Sequence, residues 1–67
     1  MLGTMYMDTS TKTPAEKVKV ILSRYVEKHG TPPSVIVVNL DTELLMDGIT
    51  VRKAPYVQPN TFWLGED

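Results

Sequence analysis

The predicted fold is built around the stretch Ser34-Val35-Ile36-Val37-Val38-Asn39. Its four consecutive β-branched residues form the longest unbroken apolar run in the chain. Two prolines precede the run and polar residues follow it, which is typical of a short strand buried on both faces, here at 34–39. Since successive side chains of a strand point to opposite faces, Val35 and Val37 are expected on one side of the sheet and Ile36 and Val38 on the other.

An amphipathic helix is predicted before this strand, at 14–29. Thr13 is a good N-cap, Pro14 suits the first helical position, and Glu16 completes a capping box. Gly30 suits the end of the helix, because glycine adopts the left-handed conformation without a steric penalty. The apolar residues that follow helical spacing share one face, and they are Ala15, Val18, Ile21, Leu22, Tyr25 and Val26.

Three further strands are predicted, at 4–8, 49–53 and 61–64. The first has Thr4 and Tyr6 on one face and Met5 and Met7 on the other. Residues 41–48 have two interpretations: a short helical turn, or part of a hairpin that turns at Asp47-Gly48.

These elements predict a single α+β domain over residues 1–67, with one long helix packed on a small mixed sheet of three or four strands. Their order is β-α-β, then the helical turn or hairpin, then β-β. The first two strands are expected to run parallel because a helix joins them, and the later strands to add antiparallel neighbours. One helix shields only one face of the central strand. The other face must be covered by the 44–46 segment, by the aromatic C-terminus or by a second subunit. This shortage of covering elements favours oligomerisation.

Composition limits the classes of function. The 67 residues contain no cysteine and one histidine, so disulfides, cysteine-based zinc or redox sites and most histidine-based metal sites are excluded. We expect neither a metal nor a cofactor. The net charge of −1 argues against nucleic acid and anionic membranes as partners. Neither a signal peptide nor a membrane span is evident, so a cytoplasmic protein is expected.

An interface role is considered for four residues. Trp63 and Phe62 fall on opposite faces of the last predicted strand, and both faces are hard to cover from within so small a domain. Tyr56 lies nearby in sequence, and aromatic residues are enriched at interface hot spots, although ordinary core packing also explains Trp63. Val20 interrupts the polar face of the helix, and it is interpreted either as a single exposed valine or as a contact for a partner subunit.

A ligand site is considered at the carboxyl ends of the first two strands. Asp8, Asn39 and Asp41 would meet there if the strands are parallel, and open α/β sheets often bind ligands at such an edge. The same residue types are also common in turns.

Two other candidates lie on the helix. Lys17, Arg24 and Lys28 project from its polar side as a basic stripe that would suit a nucleic-acid backbone, although a solvated face is the preferred interpretation. His29 lies at the helix end, where the helix dipole stabilises it, and the sequence marks no catalytic partner for it.

The segments 33–39, 48–51, 57–59 and 62–65 resemble, in their order, a pattern in phage major capsid proteins of the long-spine-helix type. The chain is far shorter than such a subunit, so the resemblance implies only an assembly or accessory role. The limited cover of the central strand and the aromatic C-terminus predict a non-enzymatic interaction or assembly module that forms a homo-oligomer or binds a protein partner. A small ligand- or metal-binding protein and a nucleic-acid-associated accessory protein stay open as alternatives.

Overall fold

The computed structural model describes residues 2–66, which form one helix and a four-stranded mixed sheet. The elements are β1 (Leu2–Met7), α1 (Pro14–His29), β2 (Val35–Asn39), β3 (Thr50–Ala54) and β4 (Thr61–Glu66). The predicted α+β class is confirmed, as are the bounds of the helix. The predicted strands at 4–8, 34–39, 49–53 and 61–64 are all present, and no end is displaced by more than two residues.

The ends of α1 are fixed by the expected local interactions. The Glu16 backbone N–H donates to the Thr13 Oγ1 at 3.3 Å, and the Thr13 N–H donates to the Glu16 Oε1 at 3.2 Å. Both halves of the capping box are therefore formed. At the other end Gly30 has a φ of 82°, and its N–H donates to the Val26 carbonyl.

The strand order in the sheet is β1-β4-β2-β3. Strand β4 is antiparallel to both β1 and β2, so β1 and β2 run in the same direction, as predicted, with β4 between them. Strand β3 is parallel to β2, so the expected antiparallel pairing of this strand is wrong. The central position predicted for β2 is confirmed, since it has a neighbour on each side.

The parallel pairing of β3 follows from the path of residues 40–49. Neither a helical turn nor a hairpin forms at 41–48. Instead, Leu44, Met46 and Ile49 pack in the core on the side of the sheet that α1 covers. This apolar contact carries the chain back to the start of β2, where the Thr50 N–H donates to the Ser34 carbonyl at 3.1 Å. A strand that begins beside the start of β2 runs parallel to it.

The side chains of β2 divide between two apolar clusters, one on each face of the sheet. Ile36 and Val38, both fully buried, pack under α1. The residues that share this helix-side cluster are Val18, Ile21, Tyr25, Leu44, Phe62 and Leu64. On the opposite face Val35 and Val37 pack with Ala54, Val57 and the half-buried Trp63.

The face of β2 away from the helix is covered by the chain itself. Val35 is 1% exposed and Val37 is 5% exposed, because Val57 of the β3–β4 connection and Trp63 of β4 pack over them. The aromatic C-terminus therefore contributes the cover, as one of the three sequence-based alternatives proposed. The central strand needs no second subunit to cover this face.

No helix among residues 2–66 is both long enough and apolar enough to cross a bilayer.

Candidate functional site

The outer edge of β1 is a row of outward-facing backbone groups. Beyond the end of the strand, the Asp8 N–H donates to the Asn60 carbonyl at 2.9 Å, toward β4. The backbone N–H and C=O groups of an antiparallel strand point to alternate sides from one residue to the next. Since those of Asp8 point toward β4, those of Gly3, Met5 and Met7 point away from it. Within the described part of the chain, β1 is the end strand of the sheet and pairs with β4 alone.

The side chains along this edge are apolar and exposed. Met5 is 55% exposed and Met7 is 66% exposed, on the face of the sheet opposite α1. Met5 is directly opposite Trp63 in the β1–β4 register, so the half-buried indole adjoins the methionines. The face assignment of Met5 and Met7 from sequence alternation is confirmed. Met5 and Met7 are exposed because β1 lies at the edge of the sheet. The alternation of side chains along the sequence does not show which strand occupies that edge.

The two edges of the sheet differ in charge. Strand β1 contains neither a charged residue nor a proline. The opposite edge strand, β3, carries Arg52 and Lys53, and the Lys53 ammonium forms an ion pair with Glu43 at 2.8 Å. Charged side chains on an edge strand oppose pairing with another chain. The edge of β1 lacks this protection.

The four residues considered for an interface do not form one surface. Phe62 is 1% exposed and lies in the helix-side core, whereas Trp63 lies on the opposite face. Tyr56 is 80% exposed in the turn after β3, and Val20 is 41% exposed on the helix. Of the four, only Trp63 adjoins the exposed methionines of β1.

The three residues considered for a ligand site stabilise local turns. The Asp8 carboxylate accepts a hydrogen bond from the Ser10 N–H at 2.8 Å, and hydrogen bonds from Ser10 lower the pKa of this carboxyl. The Asn39 Oδ1 accepts from the Asp41 N–H at 2.9 Å, and the Asn39 Nδ2 donates to the Val57 carbonyl at 2.7 Å. Strand β4 lies between β1, which Asp8 follows, and β2, which ends at Asn39. Residues 2–66 contain no group of three potential ligands placed to hold a metal ion.

The basic stripe on α1 is shorter than predicted. Arg24 and Lys28 are exposed, but Lys17 is only 5% exposed, so its assignment to a solvated basic face is wrong. The Lys17 Nζ donates to the Asn60 Oδ1 at 2.9 Å. The turn before β4 thus covers the first turns of the helix and removes this ammonium from the surface.

His29 lies in a cleft at the C-terminal end of α1. Its ring packs against that of Tyr25 with a centroid distance of 4.3 Å and an interplanar angle of 31°. Its Nε2 lies 3.2 Å from the Thr4 Oγ1 of β1, a contact that the sequence did not indicate. The cleft has a volume of about 360 Å³ and is lined by Gly3, Tyr25, His29, Thr31 and Glu66.

A shallower groove lies on the other flank of the helix. It has a volume of about 570 Å³ and is lined by Leu22, Ser23, Val26, Glu27, Pro32 and Ile49. The lining is largely apolar, with the Glu27 carboxylate as its one ionisable side chain.

Comparison of the chain with family models, with curated proteins and with solved structures gives no match. The resemblance to capsid proteins therefore has no support beyond the residues that suggested it.

Proposed function

We propose that this chain is a non-enzymatic assembly module whose β1 pairs with β1 of a second copy. The observation that carries the proposal is the outer edge of β1. It presents the backbone groups of Gly3, Met5 and Met7 beside two methionine side chains that are more than half exposed. Pairing would satisfy those backbone groups and cover apolar surface at the same time.

The charge of the two edges favours a second copy at β1. Two antiparallel copies of Leu2–Met7 place no charged side chains opposite each other, because this strand contains none. Antiparallel pairing of β3 with its own copy would bring basic residues together, since Arg52 and Lys53 are adjacent on that strand. The β1 pairing also closes with two-fold symmetry, as most homodimers do.

The direction of the backbone groups selects one register. Pairing of all three outward-facing residues requires Met5 opposite the Met5 of the second copy, and Gly3 opposite Met7. The dimer then contains a continuous eight-stranded sheet with α1 of both copies on the same face. Met5 and Met7 of both copies lie on the other face, near Trp63.

Cysteine cross-linking tests this register directly, since the natural chain has no cysteine. We expect Met5→Cys to form an intermolecular disulfide on mild oxidation, because the two Cα atoms of a facing antiparallel pair are about 5.5 Å apart. Met7→Cys is the matched control. Its copy in the second chain is displaced by four residues along the strand, about 14 Å, which is too far for a disulfide. Equal cross-linking at both positions would contradict the register.

Sedimentation velocity tests the assembly itself. The parent chain should form a dimer at micromolar to millimolar concentration. Met5→Pro should sediment as a monomer, because proline removes an outward-facing N–H and leaves the hydrogen bonds to β4 intact. Met5→Thr, which keeps the N–H, should still dimerise, although more weakly. A parent chain that stays monomeric at millimolar concentration would refute the proposal.

The cytoplasmic location expected from the sequence stays a prediction, and catalysis forms no part of the proposed function.

A further inference from the structure

We infer that the cleft at the C-terminal end of α1 binds a guanidinium group. The cleft shares Gly3 with the β1 edge, but its other lining residues take no part in the pairing proposed for β1. Its lining consists of Tyr25 and His29 of α1, Thr31 just after the helix, Gly3 near the start of β1 and Glu66 at the end of β4. Its volume of about 360 Å³ lies at the lower end of the range for small-ligand pockets.

The electrostatic character of the cleft favours a cation. Glu66 contributes a carboxylate and Thr31 a hydroxyl that accepts hydrogen bonds. The cleft also adjoins the C-terminal end of α1, where the helix dipole is negative and the last carbonyl groups lack partners within the helix. The lining contains neither lysine nor arginine. An anion would meet the Glu66 carboxylate without a permanently charged group to offset it.

The aromatic wall favours a flat cation. Tyr25 is buried, and its ring supports the exposed ring of His29 at a centroid distance of 4.3 Å. Contact with Thr4 further fixes the orientation of the imidazole. A guanidinium group is planar, stacks on aromatic rings, and donates two parallel hydrogen bonds to a carboxylate. It can therefore contact His29 with its face and Glu66 with its edge.

A metal ion fits the cleft less well. His29 and Glu66 are the two lining residues with side chains of the kinds that commonly bind metals, and three or more ligands are usual for a stable site. Residues 2–66 contain no group of three such side chains at this or another position. A guanidinium group brings five N–H donors of its own and needs fewer protein ligands.

Two sources would supply this chemistry: a small free guanidine compound, or the arginine side chain of a protein. The test uses agmatine for the first and Nα-acetyl-arginine amide for the second. Nα-acetyl-citrulline amide is the matched neutral probe, because it retains the shape and lacks the charge. Binding is followed by NMR through the His29 ring protons and the backbone amide of Thr31, which takes no part in the proposed pairing of β1.

We expect saturable shifts with at least one arginine-type probe and none with the citrulline probe. Binding of agmatine alone would identify a free guanidine compound as the source, and tighter binding of the arginine amide would identify a protein side chain. Glu66→Gln should weaken the binding about tenfold, as expected for the loss of a charge-assisted hydrogen-bond pair.

Glu27→Gln is the control variant, since it makes the same change in the groove on the other flank of α1. It should bind the probes as the parent chain does. Equal shifts with the citrulline probe, unchanged affinity in Glu66→Gln, or no shift at His29 would each overturn the inference. None of these outcomes bears on the cross-linking at Met5, so the two proposals fail separately.

Discussion

The Lys17 ammonium and the Asn60 side-chain carbonyl form a hydrogen bond of 2.9 Å that joins α1 to the turn before β4. Asn60 also accepts the Asp8 N–H through its backbone carbonyl, at 2.9 Å. With a φ of 63°, Asn60 has a left-handed backbone conformation, and no other non-glycine residue among residues 2–66 has a positive φ. Asparagine tolerates that conformation better than most residues, and here its side chain is also the partner of a buried lysine.

Replacement of Asn60 should therefore cost stability in two separable ways. Asn60→Ala removes the hydrogen-bond acceptor of the Lys17 ammonium. It also places alanine, which tolerates a positive φ less well than asparagine does, in the left-handed conformation. We expect the free energy of unfolding to fall by about 2 kcal/mol. Asn60→Gly should cost less, because glycine accepts the backbone conformation and only the hydrogen bond is lost. Urea unfolding measures both changes.

Lys17→Met supplies the control for that hydrogen bond. A buried methionine needs no partner, so the variant alone should change stability by less than about 1 kcal/mol. Combined with Asn60→Ala, it should recover part of the lost stability. If Asn60→Ala costs the same with and without Lys17, the hydrogen bond contributes nothing and the prediction is wrong.

Thr61 offers a stabilising substitution. Its side chain is 3% exposed, and its Oγ1 has no hydrogen-bond partner among the described residues. Valine has nearly the same shape and lacks the hydroxyl that is removed from water without compensation. Thr61→Val should raise the free energy of unfolding by about 1 kcal/mol. Thr61→Ser, which keeps the hydroxyl and removes the methyl group, should lower it. Thermal unfolding distinguishes the two, and a destabilised valine variant would contradict the prediction.

Gly3 marks a close approach between β1 and β4. A Cβ atom at this position would lie 2.7 Å from the Leu64 carbonyl oxygen and 3.0 Å from a ring carbon of Trp63. The carbonyl belongs to the backbone of β4 and moves only with the strand. We expect Gly3→Ala to lower the free energy of unfolding by about 1–3 kcal/mol and to change the fluorescence of Trp63.

Gly48→Ala is a matched comparison for Gly3→Ala. A Cβ atom at Gly48 meets no atom within 4 Å, so only the positive φ of 76° is unfavourable there. This variant should lower stability by about 1 kcal/mol and leave the fluorescence of Trp63 unchanged. Unchanged stability in Gly3→Ala would show that the strands separate at little cost.

Local patterns in the sequence were sufficient to predict α1 and β2. Thr13, Pro14 and Glu16 define the start of the helix, and Gly30 defines its end, through interactions with residues at most four positions away. The β-branched run of β2 is apolar on both faces, and both faces are buried. Such signals do not depend on the rest of the fold. For this reason the predicted bounds of α1 and β2 agree closely with those in the structure.

The strand order and the surface could not be predicted in the same way. The parallel pairing of β3 depends on Leu44, Met46 and Ile49 entering the helix-side core, which is a long-range packing event. The burial of Lys17 depends on Asn60, 43 positions further along the chain. The open edge of β1 results from β4 pairing on its other side. The cleft at His29 forms where β1 begins and β4 ends, beside the C-terminal end of α1.

The capping box predicts how stability changes in acid. The Thr13 backbone N–H and hydroxyl donate to the Glu16 carboxylate and lower its pKa in the folded protein. A carboxyl whose pKa is lower when folded stabilises the protein above its unfolded-state pKa. That stabilisation is lost as the pH falls through the folded-state pKa. The urea midpoint of the parent chain should therefore decrease between about pH 5 and pH 3.

Glu16→Gln separates this effect from general acid unfolding. Glutamine keeps the acceptor for the Thr13 N–H and does not titrate, so the midpoint of the variant should depend less on pH over the same interval. The pKa of Asp8 is lowered in the same direction, chiefly by hydrogen bonds from Ser10, so Asp8→Asn should flatten the profile further. If the double variant loses stability in acid as steeply as the parent chain, the hydrogen bonds to these two carboxylates do not determine the acid sensitivity of the fold.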